Sequence, residues 1–286
     1  MATIALHTLY SHRDLIAYAQ TAGPYLASIA VMPTIASAAA AEPLPPWPQL
    51  PISHDELLRN FTHTSGDAAC GRGWTSATCL LAHTDHHHRV HNLLGLAVAG
   101  WRPARALGAQ GFALTFVGGG VAAALNSAGR EVQVRNWLDN GTRGWASYVT
   151  PRMAKLWNEN GAWRLCGASA GVFALLGVDL CLSLEQAREL LTAFEVATEE
   201  ERPQLLGSLL WLGAAVAQTL SHVLHEHRAL ARGASVSVSH VGHLTGFAWG
   251  VGCWAVLVWG RKRARRRRAN SAGRGTQGGG RRLGGR

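Results

Sequence analysis

The sequence predicts an all-α membrane protein, a bundle of six transmembrane helices. Three observations carry the prediction. Only 15% of the 286 residues are charged while 48% are hydrophobic, whereas a soluble domain carries about 25% charge. Six apolar segments follow one another, at about 15–41, 78–101, 106–129, 165–184, 204–225 and 233–260. Polar, Pro-rich or basic connectors separate them.

Residues 1–14 read as a short cytosolic N-terminus. Leu15 to Ala41 holds no charged residue and exceeds the roughly 20 positions that cross the hydrocarbon. Pro24 and Pro33 predict a kink, which neighbouring helices can satisfy. The run is long enough to span and lacks a basic n-region, so it does not read as a signal peptide. Residues 42–75 read as a loop outside the bilayer, because Glu42-Pro43-Leu44-Pro45-Pro46-Trp47-Pro48 excludes helix and ladder. The second segment, Thr78 to Trp101, is weakly apolar and dense in histidine: His83, His86, His87, His88 and His91. Trp101-Arg102-Pro103-Ala104-Arg105 is a basic connector. Ala106 to Gly129 is free of charge, and 130–164 is a polar insert rich in Arg, Asn and Trp. The fourth segment, 165–184, is apolar except for Asp179, and an acidic stretch follows to Pro203. After 204–225, Glu226 to Arg232 reads as a polar turn before the last uncharged run, 233–260.

The net charge of +10 belongs to the C-terminal tail. Residues 261–286 hold 11 Arg and Lys and no acid, which leaves −1 for the rest. An Arg run after an apolar helix reads as a topology anchor, not as a groove for nucleic acid. The tail is Gly/Arg/Ser low complexity and is expected to be disordered. Six spans put both termini on one side, and the tail makes that side the cytosol. The connector after the second segment agrees and the basic 130–164 insert does not; the larger bias decides. A secretory-pathway or plasma membrane is favoured, with the mitochondrial inner membrane left open. Cys70 and Cys79 flank a Gly/Ser/Thr stretch, and whether they pair stays open. No CxxC or Cys/His zinc spacing is present.

Chemistry enters at Gly167-Ala168-Ser169-Ala170-Gly171. Gly167 and Gly171 make a GxxxG pattern, which serves helix packing. The same residues read G-x-S-x-G, but a nucleophile elbow needs a soluble parallel sheet. Ser169 becomes a nucleophile only beside a base. The last segment supplies one in Ser239-His240-Val241-Gly242-His243-Leu244-Thr245-Gly246. An ionisable group inside a span is a functional site by default, and His243 fits that better than His240 at the segment's edge. Gly242, Gly246 and Gly250 share one helical face, which permits the close approach that brings Ser169 and His243 together. No acid follows at triad spacing, so the expectation is a dyad. His88 and Asn92 are four apart on one helix face and offer donors for a developing oxyanion.

These stretches together resemble the rhomboid intramembrane serine proteases over roughly 70–255. His88 and Asn92 match the family's H-x-x-x-N, and His83 matches an earlier family histidine. Gly167-Ala168-Ser169 followed by Val172 to Leu175 matches G-x-S-G and V-[FY]-A-L. Gly242-His243-Leu244-Thr245-Gly246 matches A-H-L-x-G. The resemblance implies a six-span rhomboid bundle and a serine endopeptidase with Ser169 as nucleophile and His243 as general base. It implies an oxyanion hole of His88, Asn92 and the Ser169 N–H, with Gly167, His83 and Gly246 in support. It implies no cofactor and no metal, and single-span membrane proteins as substrates, cut near helix-destabilising residues. Ala170 departs from the family's usual glycine. Trp74-Thr75 stands where the first loop usually has Trp-Arg.

Two alternatives belong to other classes. A non-catalytic rhomboid-like protein would bind membrane clients. A di-iron membrane oxidase would use His83-Thr84-Asp85-His86-His87, the His222, His225, His227 cluster, and His240 with His243, since imidazole-rich sites bind iron. That last reading leaves the Ser169 stretch unexplained.

Overall fold

The computed structural model describes residues 12–39, 45, 47–64, 66, 67, 69–139, 165–231, 240–260 and 263. Most of the expected N-terminal segment 1–14, most of the 130–164 insert, the start of the last apolar segment and nearly all of the basic tail lie outside the described residues, and the first helix begins within that N-terminal segment, at His12.

Among the described residues there is no β-strand. Helix α1 (His12–Val31) contains Pro24 and ends before Pro33, whose ring disfavours helix at the preceding residue. Helix α2 (Ile35–Ala38) restarts from a capping box in which the Ser37 N–H donates to Thr34 Oγ1 and the Thr34 N–H to Ser37 Oγ, each at 3.0 Å. Helix α3 (His54–Asn60) is capped the same way by Ser53 and Glu56. The Ser53 N–H and hydroxyl hold the Glu56 carboxyl below the usual range. Then come α4 (Thr75–Thr78), α5 (His86–Ala99), α6 (Trp101–Asp139), α7 (Ser169–Val196), α8 (Arg202–Ala231) and α9 (His240–Cys253). Helix α6 is kinked at Gly108 (φ 69, ψ 177), and α9 continues into a π-helical turn at Trp254–Trp259.

Among the described residues five stretches are long and apolar enough to cross a membrane: Arg13–Ala38, Trp101–Asn126, Ser169–Val196, Arg202–Arg228 and His240–Trp259. The expected second segment, 78–101, does not join them on length and composition. Its helix α5 has 14 residues, about 21 Å at 1.5 Å per residue, against a hydrocarbon core of about 30 Å. Asp85 starts α5 late, by accepting the His88 N–H at 2.8 Å. The residues before it are committed elsewhere: the Ile35 and Ala36 N–H groups donate to the His83 and Thr84 carbonyls at 2.8 and 3.0 Å.

Elsewhere the helices outrun the apolar segments. Helix α7 continues from the apolar run through the acidic residues to Val196, and α8 continues through the expected polar turn to Ala231. Glu, Gln, Arg, Leu and Ala are good helix formers, so hydropathy marks where the apolar stretch ends and not where the helix does.

Helix α7 lies at the centre, packed on α9, α6 and α8. Leu96, Phe112, Phe116, Val172 and Leu175 form the main core, with Ala22 and Ile29 of α1. Asp179, the one charge of the fourth apolar segment, pairs with Arg102 of α6 at 3.2 Å. Leu210 and Trp211 of α8 point outward. All five cysteines are free, Cys70 and Cys79 included.

Candidate active site

Ser169 is the first residue of α7, and three backbone contacts fix the chain just before it. His63 and Leu165 exchange N–H···O bonds at 2.9 and 2.8 Å, and the Gly167 N–H donates to the Cys79 carbonyl at 2.8 Å. The Ala168 N–H reaches His83 Nε2 at 3.3 Å. His83 is buried and its Nδ1 lies 3.1 Å from the Leu81 carbonyl. A carbonyl accepts only, so Nδ1 carries the proton and Nε2 is the acceptor that holds Ala168. Gly167 takes φ +108, a conformation open to glycine.

His243 lies in the first turn of α9, and the glycines there let the backbones touch. A Cβ on Gly246 would lie 2.1 Å from the Ala170 carbonyl oxygen, and one on Gly250 1.8 Å from that of Ala174. The surface on α7 that receives them is therefore Ala170 and Ala174, not the Gly167/Gly171 pair. Gly171 faces Phe116 of α6, and Gly167 faces His88. This also shows how the family's glycine can be alanine at 170: the side that must be small belongs to α9.

The close approach sets Ser169 Oγ 2.8 Å from His243 Nε2. The Phe173 ring stacks on the imidazole, with centroids 4.5 Å apart and planes within 5°. A hydroxyl donating to Nε2 leaves the proton of the neutral ring on Nδ1.

His88 and Asn92 both reach Gly167. A Cβ there would lie 2.7 Å from His88 Nε2 and 3.6 Å from Asn92 Nδ2. Asn92 is buried, and its Nδ2 has no hydrogen-bond partner among the described residues. Such an orphaned donor calls for an explanation. The Ser169 N–H, at a helix start, has no intrahelical partner either. His88 is different. The Thr84 hydroxyl donates to Asp85 Oδ2 at 2.8 Å and lies 3.1 Å from His88 Nδ1. Its single proton is committed to the carboxylate, so it accepts from His88 Nδ1–H. That leaves Nε2 of the neutral ring as an acceptor.

The family model described as Rhomboid domain matches residues 71–260, well over half of the chain. The chain belongs to the rhomboid family. No curated protein and no solved structure matches it. Rhomboids are helical membrane bundles, in general serine proteases acting on membrane-protein substrates in the bilayer, and some are inactive. With its several apolar spans, this rhomboid is an integral multi-pass membrane protein.

Sequence reasoning missed one residue of this rhomboid's site. Glu226 Oε2 lies 3.0 Å from His243 Nδ1 and 2.5 Å from His240 Nδ1. The N–H of His243 is off the line to that oxygen, since Nδ1 makes no well-directed hydrogen bond. The contact is a close charge, not a linear bond. No acid stands at triad spacing after His243 because this one comes before it, on another helix. Its signal was a carboxylate among His222, His225 and His227 at the end of an apolar run. Glu226, His240 and His243 also offer three ligand atoms within 4.8 Å of one another. Among the described residues that group includes no histidine of 83–91 and none of His222, His225 and His227. The three clusters of a di-iron reading therefore form no single group of ligand atoms at that spacing among the described residues.

Proposed function

We propose that this rhomboid is an active intramembrane serine endopeptidase that hydrolyses peptide bonds in or near transmembrane segments of single-span membrane proteins. The observation that carries the proposal is the 2.8 Å contact between Ser169 Oγ and His243 Nε2. Nucleophile and base within hydrogen-bond reach are what acyl transfer needs.

Ser169 Oγ attacks the scissile carbonyl carbon as its proton passes to His243 Nε2. The oxyanion that forms is met by the Asn92 amide and the Ser169 N–H, and by His88 when its ring carries a second proton. His243 then gives its proton to the leaving amine, and an acyl-enzyme remains on Ser169. Water, activated by the same imidazole, releases the second product. The Phe173 stack holds the ring plane throughout. No step calls for a metal or cofactor.

The proposal includes α5 as the sixth intramembrane helix. Its Leu94 and Val98 are exposed, which suits a face turned to lipid. Both termini lie in the cytosol, in a secretory-pathway or plasma membrane.

The test is cleavage of a single-span reporter by the wild type and by Ser169→Ala. Cleavage by the wild type alone supports the proposal. Equal cutting by both overturns Ser169 as nucleophile. No cutting by either makes the chain a client-binding member of the family.

A further inference from the structure

We propose that Glu226 is the positioning residue of His243, so that the dyad works as a Ser–His–Glu triad with its acid on a separate helix. The inference rests on the protease reading above and concerns the same site.

Three observations carry it. First, Glu226 belongs to α8 while its contacts belong to α9: its Oε2 lies 2.5 Å from His240 Nδ1 and 3.0 Å from His243 Nδ1. Each of the three side chains is about nine-tenths buried, at 10%, 10% and 12% exposure for Glu226, His240 and His243. Burying a charge is costly unless it is paired, and these three groups pair with one another where the end of α8 meets the start of α9. Second, the proton arithmetic of the imidazole agrees with the placement. Ser169 Oγ–H must find Nε2 bare, and the neutral ring then bears its one proton on Nδ1, the atom that faces the carboxylate. The tautomer the base needs is the tautomer Glu226 favours. Third, the ring has no other polar anchor on that side. His243 Nδ1 is buried and has no well-directed hydrogen bond among the described residues, while Phe173 stacks on its face.

During attack the proton of Ser169 moves to Nε2 and the imidazole becomes an imidazolium. The positive charge then sits against a carboxylate oxygen instead of against hydrocarbon. Glu226 takes no proton and touches no substrate; it orients the ring and offsets its charge. His240, at the shorter distance, fixes the carboxylate in place. Because the His243 contact is off-line, the effect is smaller than that of a linear acid–histidine bond.

The alternative is a purely structural latch between α8 and α9, and the experiment separates the two. Full-length protein is purified in detergent, and kcat, KM and melting temperature are measured on a single-span reporter for the wild type and three variants. Glu226→Gln is expected to lower kcat roughly 100-fold, short of the ~10⁴-fold loss when a linear triad acid is neutralised, with KM unchanged. Glu226→Asp and Glu226→Asn have one size and differ in charge; Asp is expected to keep at least about ten times the kcat of Asn. This pair decides the matter if the Gln variant does not fold. Glu226→Gln at wild-type kcat overturns the assignment. So does a loss carried by KM, or one shared equally by Asp and Asn. Activity abolished by EDTA and restored by Zn²⁺ would make the cluster a metal site and also overturn it. A wild-type protein that cuts nothing overturns the protease reading itself, and this assignment with it.

Discussion

Asn92 carries a buried amide nitrogen with no hydrogen-bond partner among the described residues. Leaving such a donor unsatisfied costs about 1–3 kcal/mol, so a residue there for stability alone would be apolar. In the proposed mechanism it is satisfied when an oxyanion forms. Asn92→Ala is expected to lower kcat about 100- to 1000-fold, the loss for one oxyanion donor, with KM and melting temperature held or the latter raised; steady-state kinetics and a thermal melt check it. Gly167 makes a second residue-scale prediction. Gly167→Ala would force a Cβ at φ +108 to within 2.6 Å of His88 Cε1, so activity falls and the melting temperature falls with it. Ser169 and His243 are legible in the sequence because a hydroxyl and an imidazole stand out in apolar runs. Glu226 is not legible, since nothing in the chain says that α8 runs past the apolar stretch and turns its last acid toward α9.

Helices α7 and α9 test a packing argument. Gly246 and Gly250 are where α9 meets the Ala170 and Ala174 carbonyls, while a Cβ on Gly252 would meet nothing within 4 Å. Gly250→Ala must therefore push the helices apart. Overpacking costs about 1–3 kcal/mol or more, and the Ser169–His243 contact lengthens with it. The expected outcome is a lowered melting temperature and lost cleavage for Gly250→Ala, with Gly252→Ala at wild-type values in both assays. The glycine repeat on α9 is readable from its spacing of four. Its partner surface is not, because alanines 170 and 174 and glycines 167 and 171 lie on different faces of one helix, and only the neighbours decide which face meets α9.

For the whole molecule, the balance of charge in an apolar bundle is the main constraint. Arg102, in the basic connector, and Asp179, the one charge of the fourth apolar segment, form an ion pair at 3.2 Å, with Ser183 and Gln186 sharing the guanidinium. Arg102→Ala leaves the carboxylate without its cation, and because the two side chains are 30% and 21% exposed the cost is about 1 kcal/mol. A lower melting temperature follows, and adding Asp179→Asn restores part of it. The all-helical class and the apolar segments are plain in the sequence, whereas helix ends are not: the second segment's helix starts late at its Asp85 cap, and the fourth and fifth extend into polar residues. The central claim is that the bundle exists to bring one serine to one base. Its most direct test is labelling of the membrane-embedded chain with a fluorophosphonate, with the modified residue mapped by mass spectrometry. The account predicts a single adduct on Ser169 that disappears in His243→Ala; an unlabelled wild type, or an adduct equally strong in His243→Ala, would contradict it.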